Sequence, residues 1–159
     1  MDKTELEFFM HKAIELSQKG MEGGHGGPFG AIIVKNNQII AEGFNQVIAT
    51  NDPTAHAEVV AIRKACQYLN HFQLSECILF TSCEPCPMCM GAIYWARPKA
   101  VYFANTRQDA AAIGFDDNFI YEELNQPFDK RSIPVFHIPS EKAKKVFQLW
   151  QQKQDKTLY

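Results

Sequence analysis

Two short runs, Thr54-Ala55-His56-Ala57-Glu58 and Pro85-Cys86-Pro87-Met88-Cys89, carry one imidazole, one carboxylate and two thiols, and their spacing restricts how the chain can fold. A Cys at i and another at i+3 share one face of a helix, so Cys86 and Cys89 reach a common point if a helix starts near Cys86. Pro85 biases Glu84 away from helix, and Pro87, which lacks an N–H, suits a first-turn position. His56 and Glu58 would stand about 200° apart in the middle of a helix; they can serve one point only from its first turn. Asp52-Pro53-Thr54 supplies capping residues for such a start. The sequence therefore predicts two helices that aim their N-termini at a shared site.

The donor set indicates what that site holds. Zinc binds Cys sulfur and His nitrogen tetrahedrally, and a catalytic site keeps one of four positions open for water while a structural site fills all four. His56, Cys86 and Cys89 make three ligands. A helix N-terminus also favours thiolate over thiol. Zinc lowers the pKa of its bound water to about 7, and an unligated Glu58 is then placed for general acid–base work, typically worth roughly 10²–10⁴-fold in rate. The competing reading is a closed structural site with Cys83 as fourth ligand, since Cys83, Cys86 and Cys89 are evenly spaced. Cys83 ends the apolar run Ile78-Leu79-Phe80-Thr81, which predicts a place behind the metal, and a closed site gives Glu58 no task.

At 159 residues the chain is expected to form one domain with one sizeable core. A formal charge of −2 creates no field for nucleic acid or an anionic membrane. Five cysteines, three of them within residues 83–89, point to metal binding in a reducing compartment rather than to a disulfide framework. Cys66 and Cys77 read as core thiols. The N-terminal residues lack a signal-peptide apolar run, so the expected location is cytoplasmic. Lys142, Lys144, Lys145 and Lys153 read as a solvated helix face rather than a nucleic-acid patch.

Along the chain, Thr4 and Glu7 suggest a capping box for a first helix ending near Gly20, with Leu6, Phe9, Met10 and Ala13 at helical spacing. Residues 20–30 hold six of the nine glycines, a loop that allows close backbone approach; its His25 reads as solvated. Ala31–Val34 and Gln38–Ala41 flank Asn36-Asn37 as a hairpin. The His56 helix should run to about Asn70. Strands near Cys77–Thr81 and Ala100–Phe103 then bracket the Cys86 helix, a strand-helix-strand order that predicts parallel pairing with helices on the sheet faces. Ile133–Ile138 is expected as a last strand, at an edge because of Pro134. Ala143, Val146, Phe147 and Trp150 form the apolar stripe of a C-terminal helix.

His-x-Glu followed by Pro-Cys-x-x-Cys resembles the signature of the zinc-dependent cytidine deaminase superfamily. Gly27–Ala31, Asn51–Glu58, Thr81–Cys89, Ala92–Arg97 and Gly114-Phe115-Asp116-Asp117, together with the terminal Tyr159, resemble the bacterial branch of that superfamily that acts on guanine. The resemblance spans about residues 27–120. It implies a three-layer α/β/α sandwich with a five-stranded mixed sheet, one Zn²⁺ between two helix N-termini, and hydrolytic deamination of guanine to xanthine and ammonia. It also implies that Asn45 hydrogen-bonds the purine, that Phe29 and Trp95 wall the pocket, and that Asp117 meets the 2-amino side. It further implies a homodimer in which a C-terminal segment of about residues 140–159 is exchanged, so that Tyr159 closes the partner's pocket.

The residues themselves leave plainer readings open. Asn45 closes a strand after Gly43, Phe29 and Trp95 suit a core, and Asp116 and Asp117 suit a turn. Superfamily relatives act on cytidine, deoxycytidylate, adenosine in transfer RNA and pterin-like rings with the same metal set. A tRNA adenosine deaminase, a deaminase of guanosine or another aminated ring, and a zinc scaffold without turnover are thus the alternatives.

Overall fold

Strand β1 (Gly30–Lys35) is the spine of the structure, a computed structural model that describes residues 1–159. Its residues from Gly30 to Val34 are all buried, as a strand with partners on both edges and helices on both faces must be. β2 (Gln38–Phe44) pairs antiparallel to it through a turn in which Asn36 and Asn37 take φ of 50° and 58°. A type I′ two-residue hairpin needs positive φ at both central positions, and Asn tolerates it. On the other edge β3 (Ile78–Cys83) runs antiparallel to β1, and β4 (Ala100–Asn105) runs parallel to β3. The order is β2-β1-β3-β4.

Helices cover both faces because strand side chains alternate. α1 (Lys3–Glu22) packs Phe9, Ala13 and Leu16 on Ile32, Val34 and Phe80. On the opposite face α3 (Ala57–Leu69) and α4 (Pro87–Ala96) bring Ala57, Ala61, Ala65, Ile93 and Ala96 against Ala31, Ile33 and Leu79. α4 is the crossover between the parallel strands β3 and β4, which cannot be joined by a tight turn. The alanines let α3 lie close to the sheet, and Gly43 completes the fit: a Cβ there would stand 2.4 Å from the Ala57 carbonyl oxygen and 2.7 Å from the Ala61 nitrogen. Two short helices, α2 (Val47–Thr50) and α5 (Arg107–Ala112), follow β2 and β4.

The chain divides into two compact units, Met1–Asp117 and Asn118–Tyr159. The second contains α6 (Asn118–Asn125), a 3₁₀ turn at Phe128–Lys130 and α7 (Glu141–Gln152). Arg131 closes the end of α6, donating to the carbonyls of Gln126 and Leu124 at 3.1 and 3.2 Å. No helix is long and apolar enough to cross a membrane.

Three expectations are corrected. The first helix is capped by Asp2 with Glu5, not by Thr4 with Glu7, and runs on to Glu22. The helix tolerates Gly20 because that glycine is buried within it, where a Cβ would stand 2.8 Å from the Phe44 ring. The sheet has four strands, not five: Ile133–Ile138 joins no ladder. Pro134 removes an N–H from the middle of any ladder that segment could form, and Pro139 bounds it.

Candidate functional site

Two helix N-termini converge on the face of the sheet that carries α3 and α4. His56 is the N-cap residue of α3 and Cys86 that of α4, both extended, and neither uses its side chain to cap its own helix. The expected start is therefore refined: Asp52 does not cap α3 but accepts from the Thr54 N–H and hydroxyl at 2.8 and 2.7 Å, a local turn that precedes the helix. The Gln46 N–H donates to the Ala55 carbonyl at 2.9 Å, tying the end of β2 to the residue before His56. On the other side the Glu84 N–H donates to the Asn105 carbonyl at 2.8 Å while its carboxylate accepts from the Arg107 N–H at 3.0 Å. Glu84 thus pins the β3–α4 loop to the end of β4, a role its place before Pro85 did not advertise.

The three donor atoms fit one ion. Tetrahedral zinc, with about 2.3 Å to sulfur and about 2.0–2.1 Å to nitrogen, sets a nitrogen–sulfur edge of roughly 3.6 Å. His56 Nδ1 stands 3.6 Å from Cys86 Sγ and 3.4 Å from Cys89 Sγ, and all three ligand atoms lie within 4.8 Å of one another. Cys83 is not among them. It is buried at the end of β3 with its Sγ 3.7 Å from the Thr106 carbonyl, and burial pushes its thiol up to about 11. His56, Cys86 and Cys89 could therefore hold a metal ion, and Cys83 is not placed to be a fourth ligand.

The charges of the site suit a dication. Cys86 is pulled down to about 4, first by the hydrogen bond from the Cys89 thiol and then by His56. Cys89 is pushed up because that same bond, burial and the Glu58 carboxylate all oppose a second negative charge. His56 is raised by its bond to Cys86. Metal binding displaces these thiol and imidazole protons, because the ligands must be deprotonated. Glu58 is 6% exposed, with its carboxylate 3.5 Å from Cys89 Sγ. Burial raises its pKa, the direction that suits a group that holds a proton and then releases it.

The other predicted residues are distributed as follows. Asn45 is 4% exposed, accepts from the Val47 N–H through Oδ1 at 3.2 Å, and donates its backbone N–H to the Phe29 carbonyl at 3.0 Å. Phe29 meets Phe115 edge-on with ring centroids 4.9 Å apart. Asp117 is half-buried whereas Asp116 is exposed. Burial and the negative charge of Cys86 both raise Asp117, so it lies within electrostatic reach of the metal ligands. Trp95 is 64% exposed. It lies off the stripe of Cys89, Ile93 and Ala96 that α4 buries. Tyr159 ends the second unit and is 69% exposed. Phe115 was legible only as part of the run Gly114–Asp117; its packing on Phe29 depends on a chain reversal at Gly114, where φ is +94°.

Residues 3–105 match the profile of the cytidine and deoxycytidylate deaminase zinc-binding region. The chain is 55% identical over 153 residues to the guanine deaminase of Bacillus subtilis (strain 168), covering 96% of this chain and 98% of that protein. The X-ray structure of a Bacillus subtilis guanine deaminase superposes with a TM-score of 0.95 at 53% identity, covering 100% of this chain and 99% of that one. A tRNA-specific adenosine deaminase of Aquifex aeolicus (strain VF5) is 33% identical, covering 86% of this chain and 87% of its own length.

Proposed function

The chain belongs to the cytidine and deoxycytidylate deaminase zinc-binding family, and from that premise we propose that it hydrolyses guanine to xanthine and ammonia. The observation that carries the substrate is the 55% identity to a guanine deaminase over nearly the whole of both chains. The observation that carries the chemistry is a three-ligand site with a buried carboxylate beside it.

His56, Cys86 and Cys89 would hold zinc. When bound, zinc lowers the pKa of a water in its fourth position to about 7. Glu58 takes a proton from the water that attacks C2 and delivers it to the adjacent ring nitrogen. The C2–O bond forms as the C2=N3 double bond becomes single, and the bond from C2 to the exocyclic amine then breaks as C2=O forms. Asp117 relays the remaining proton of the C2 hydroxyl to the departing amine, so that guanine and water become xanthine and ammonia. A raised Asp117 suits that relay, and its carboxylate accepts from the N1–H and 2-amino edge, which offers only donors. Asn45 complements it. Its Oδ1 is engaged by Val47 while its Nδ2 makes no bond within the chain and is not sealed from solvent, so it presents donors to a ring acceptor. Phe29 serves as an apolar wall, with Phe115 behind it. Trp95 is assigned a wall position by resemblance alone.

The active form is a homodimer with the C-terminal segment exchanged, and Tyr159 completes the partner's pocket. Each unit leaves apolar side chains uncovered: Tyr94, Trp95 and Phe103 in the first, Ile133, Phe136 and Phe147 in the second. Five free thiols, two of them in the metal-ligand group, suit a reducing compartment such as the cytoplasm.

The test is ammonia release from guanine, guanosine, adenine, cytosine, cytidine and a tRNA anticodon stem. Guanine should dominate, because a pocket built to pair a polar edge rejects the unpaired analogue by about 10⁴–10⁵-fold. Comparable turnover of adenine or cytosine would remove Asp117 from its role, and preference for the anticodon stem would favour the tRNA reading.

A further inference from the structure

We propose that Gly26 is a positioning residue for substrate recognition: its missing side chain makes the space in which the Asn45 carboxamide lies with its donors outward. The proposal rests on the reading of Asn45 as a donor to the purine. A Cβ built on Gly26 would stand 2.0 Å from Asn45 Oδ1 and 2.9 Å from both its Cγ and its backbone oxygen. These approaches are closer than any real Cβ contact, and the nearest is to the oxygen that the Val47 N–H holds at 3.2 Å. Gly26 does not adopt positive φ, unlike Gly24 and Gly114. A left-handed φ is therefore not what demands glycine here; the space beside the Asn45 carboxamide is.

The two partners are each fixed by other bonds, so neither can simply give way. The loop before Gly26 is held by the His25 N–H on the Gly20 carbonyl at 3.0 Å and by the Ala49 N–H on the His25 carbonyl at 3.1 Å. Asn45 is held at its backbone by Phe29 and through its neighbour Gln46 by Ala55. A methyl group at position 26 therefore forces the carboxamide to turn. Turning it breaks the Val47 bond and withdraws Nδ2 from the ring acceptor that it would meet. The metal ligands and Glu58 belong to other segments and stay in place, so the loss falls on substrate affinity rather than on chemistry.

The experiment is a double-mutant cycle of Gly26→Ala and Asn45→Ala, read as KM and kcat for guanine together with bound zinc. Gly26→Ala should raise KM about tenfold or more, the cost of leaving one polar partner unpaired, with kcat within about twofold and zinc retained. In the Asn45→Ala background the methyl loses its 2.0 Å clash with the carboxamide oxygen and keeps only the 2.9 Å approach to the backbone oxygen, so it should raise KM by clearly less than in the wild-type background. If the single variant does not fold while the double variant does, the incompatibility lies with the carboxamide and the proposal stands. Equal cost in both backgrounds, a silent Gly26→Ala beside an impaired Asn45→Ala, or failure of both to fold overturns it. An Asn45→Ala variant with unchanged KM instead removes the donor role of Asn45, and with it the premise, whatever Gly26 does.

Discussion

The units Met1–Asp117 and Asn118–Tyr159 both carry many apolar side chains but use them differently. The first buries Phe80, Ile32, Ile33 and Leu79 completely between strand partners and helices. In the second no residue of α6 or α7 is buried, and Ile133, Phe136, Ile138 and Phe147 are each 78–85% exposed. The difference lies in the backbone as well as in the composition. Strands with both edges paired hold side chains on two fixed faces for helices to cover, whereas an amphipathic helix and a proline-interrupted segment have no such scaffold. The ligands and Glu58 all belong to the unit with the core, where a site can be held within fractions of an ångström.

The largest effect that probes this comparison is at the chemistry of the first unit. Glu58→Gln should lower kcat for guanine by roughly 10²–10⁴-fold with zinc content unchanged; loss of zinc instead would make Glu58 a structural residue. Burial raises the Glu58 pKa, and a carboxylate raised in the folded state opposes folding at every pH above its unfolded value. The metal-free variant should therefore melt higher than metal-free wild type at neutral pH.

Next comes the core. Phe80→Ala leaves a cavity between β3 and α1 and should cost about 3–5 kcal/mol in denaturant unfolding. Phe147→Ala, at 80% exposure, removes little burial within one chain. If the second unit obtains its core from a second copy, this variant lowers Tm in a manner that depends on protein concentration. A concentration-independent loss would place that core within the single chain. Deleting Lys156–Tyr159 sharpens the same point: guanine turnover should fall while zinc content holds, and unchanged turnover removes Tyr159 from the site.

The smallest effect is expected at the surface. Lys35 and Glu76 pair at 2.9 Å; a hydrogen bond and charge attraction lower Glu76 and raise Lys35. Such a contribution is present above the unfolded carboxylate pKa and below the unfolded ammonium pKa. It is lost as pH falls through the folded value of Glu76 or rises through that of Lys35. Glu76→Gln at neutral pH should shift Tm by no more than the scatter of replicate melts, because exposed pairs contribute little. A shift of several degrees would show that this corner of the core unit depends on the pair.

The site was more legible than the fold around it. His56, Glu58, Cys86 and Cys89 announce themselves because metal chemistry admits few residue types and a helix start admits few spacings. Asn36-Asn37 likewise fixes its own turn. Glu84, Phe115 and Gly26 were not legible as working parts, since each acts on a residue distant in sequence, through a loop bond, a ring contact and an excluded volume respectively. The fifth strand was expected from an apolar run at Ile133–Ile138, but an apolar run does not say which backbone it pairs with.

Sequence alone determined the donor set, the two helix starts that present it and the acid that stands beside it, because these follow from bonding rules that act over a few residues. Tertiary structure decided that His56 offers Nδ1, that Cys83 turns to Thr106 instead of the metal, and that Asn45 commits its oxygen inward. Those outcomes depend on which atoms of remote segments occupy the neighbouring space, and no local pattern encodes that.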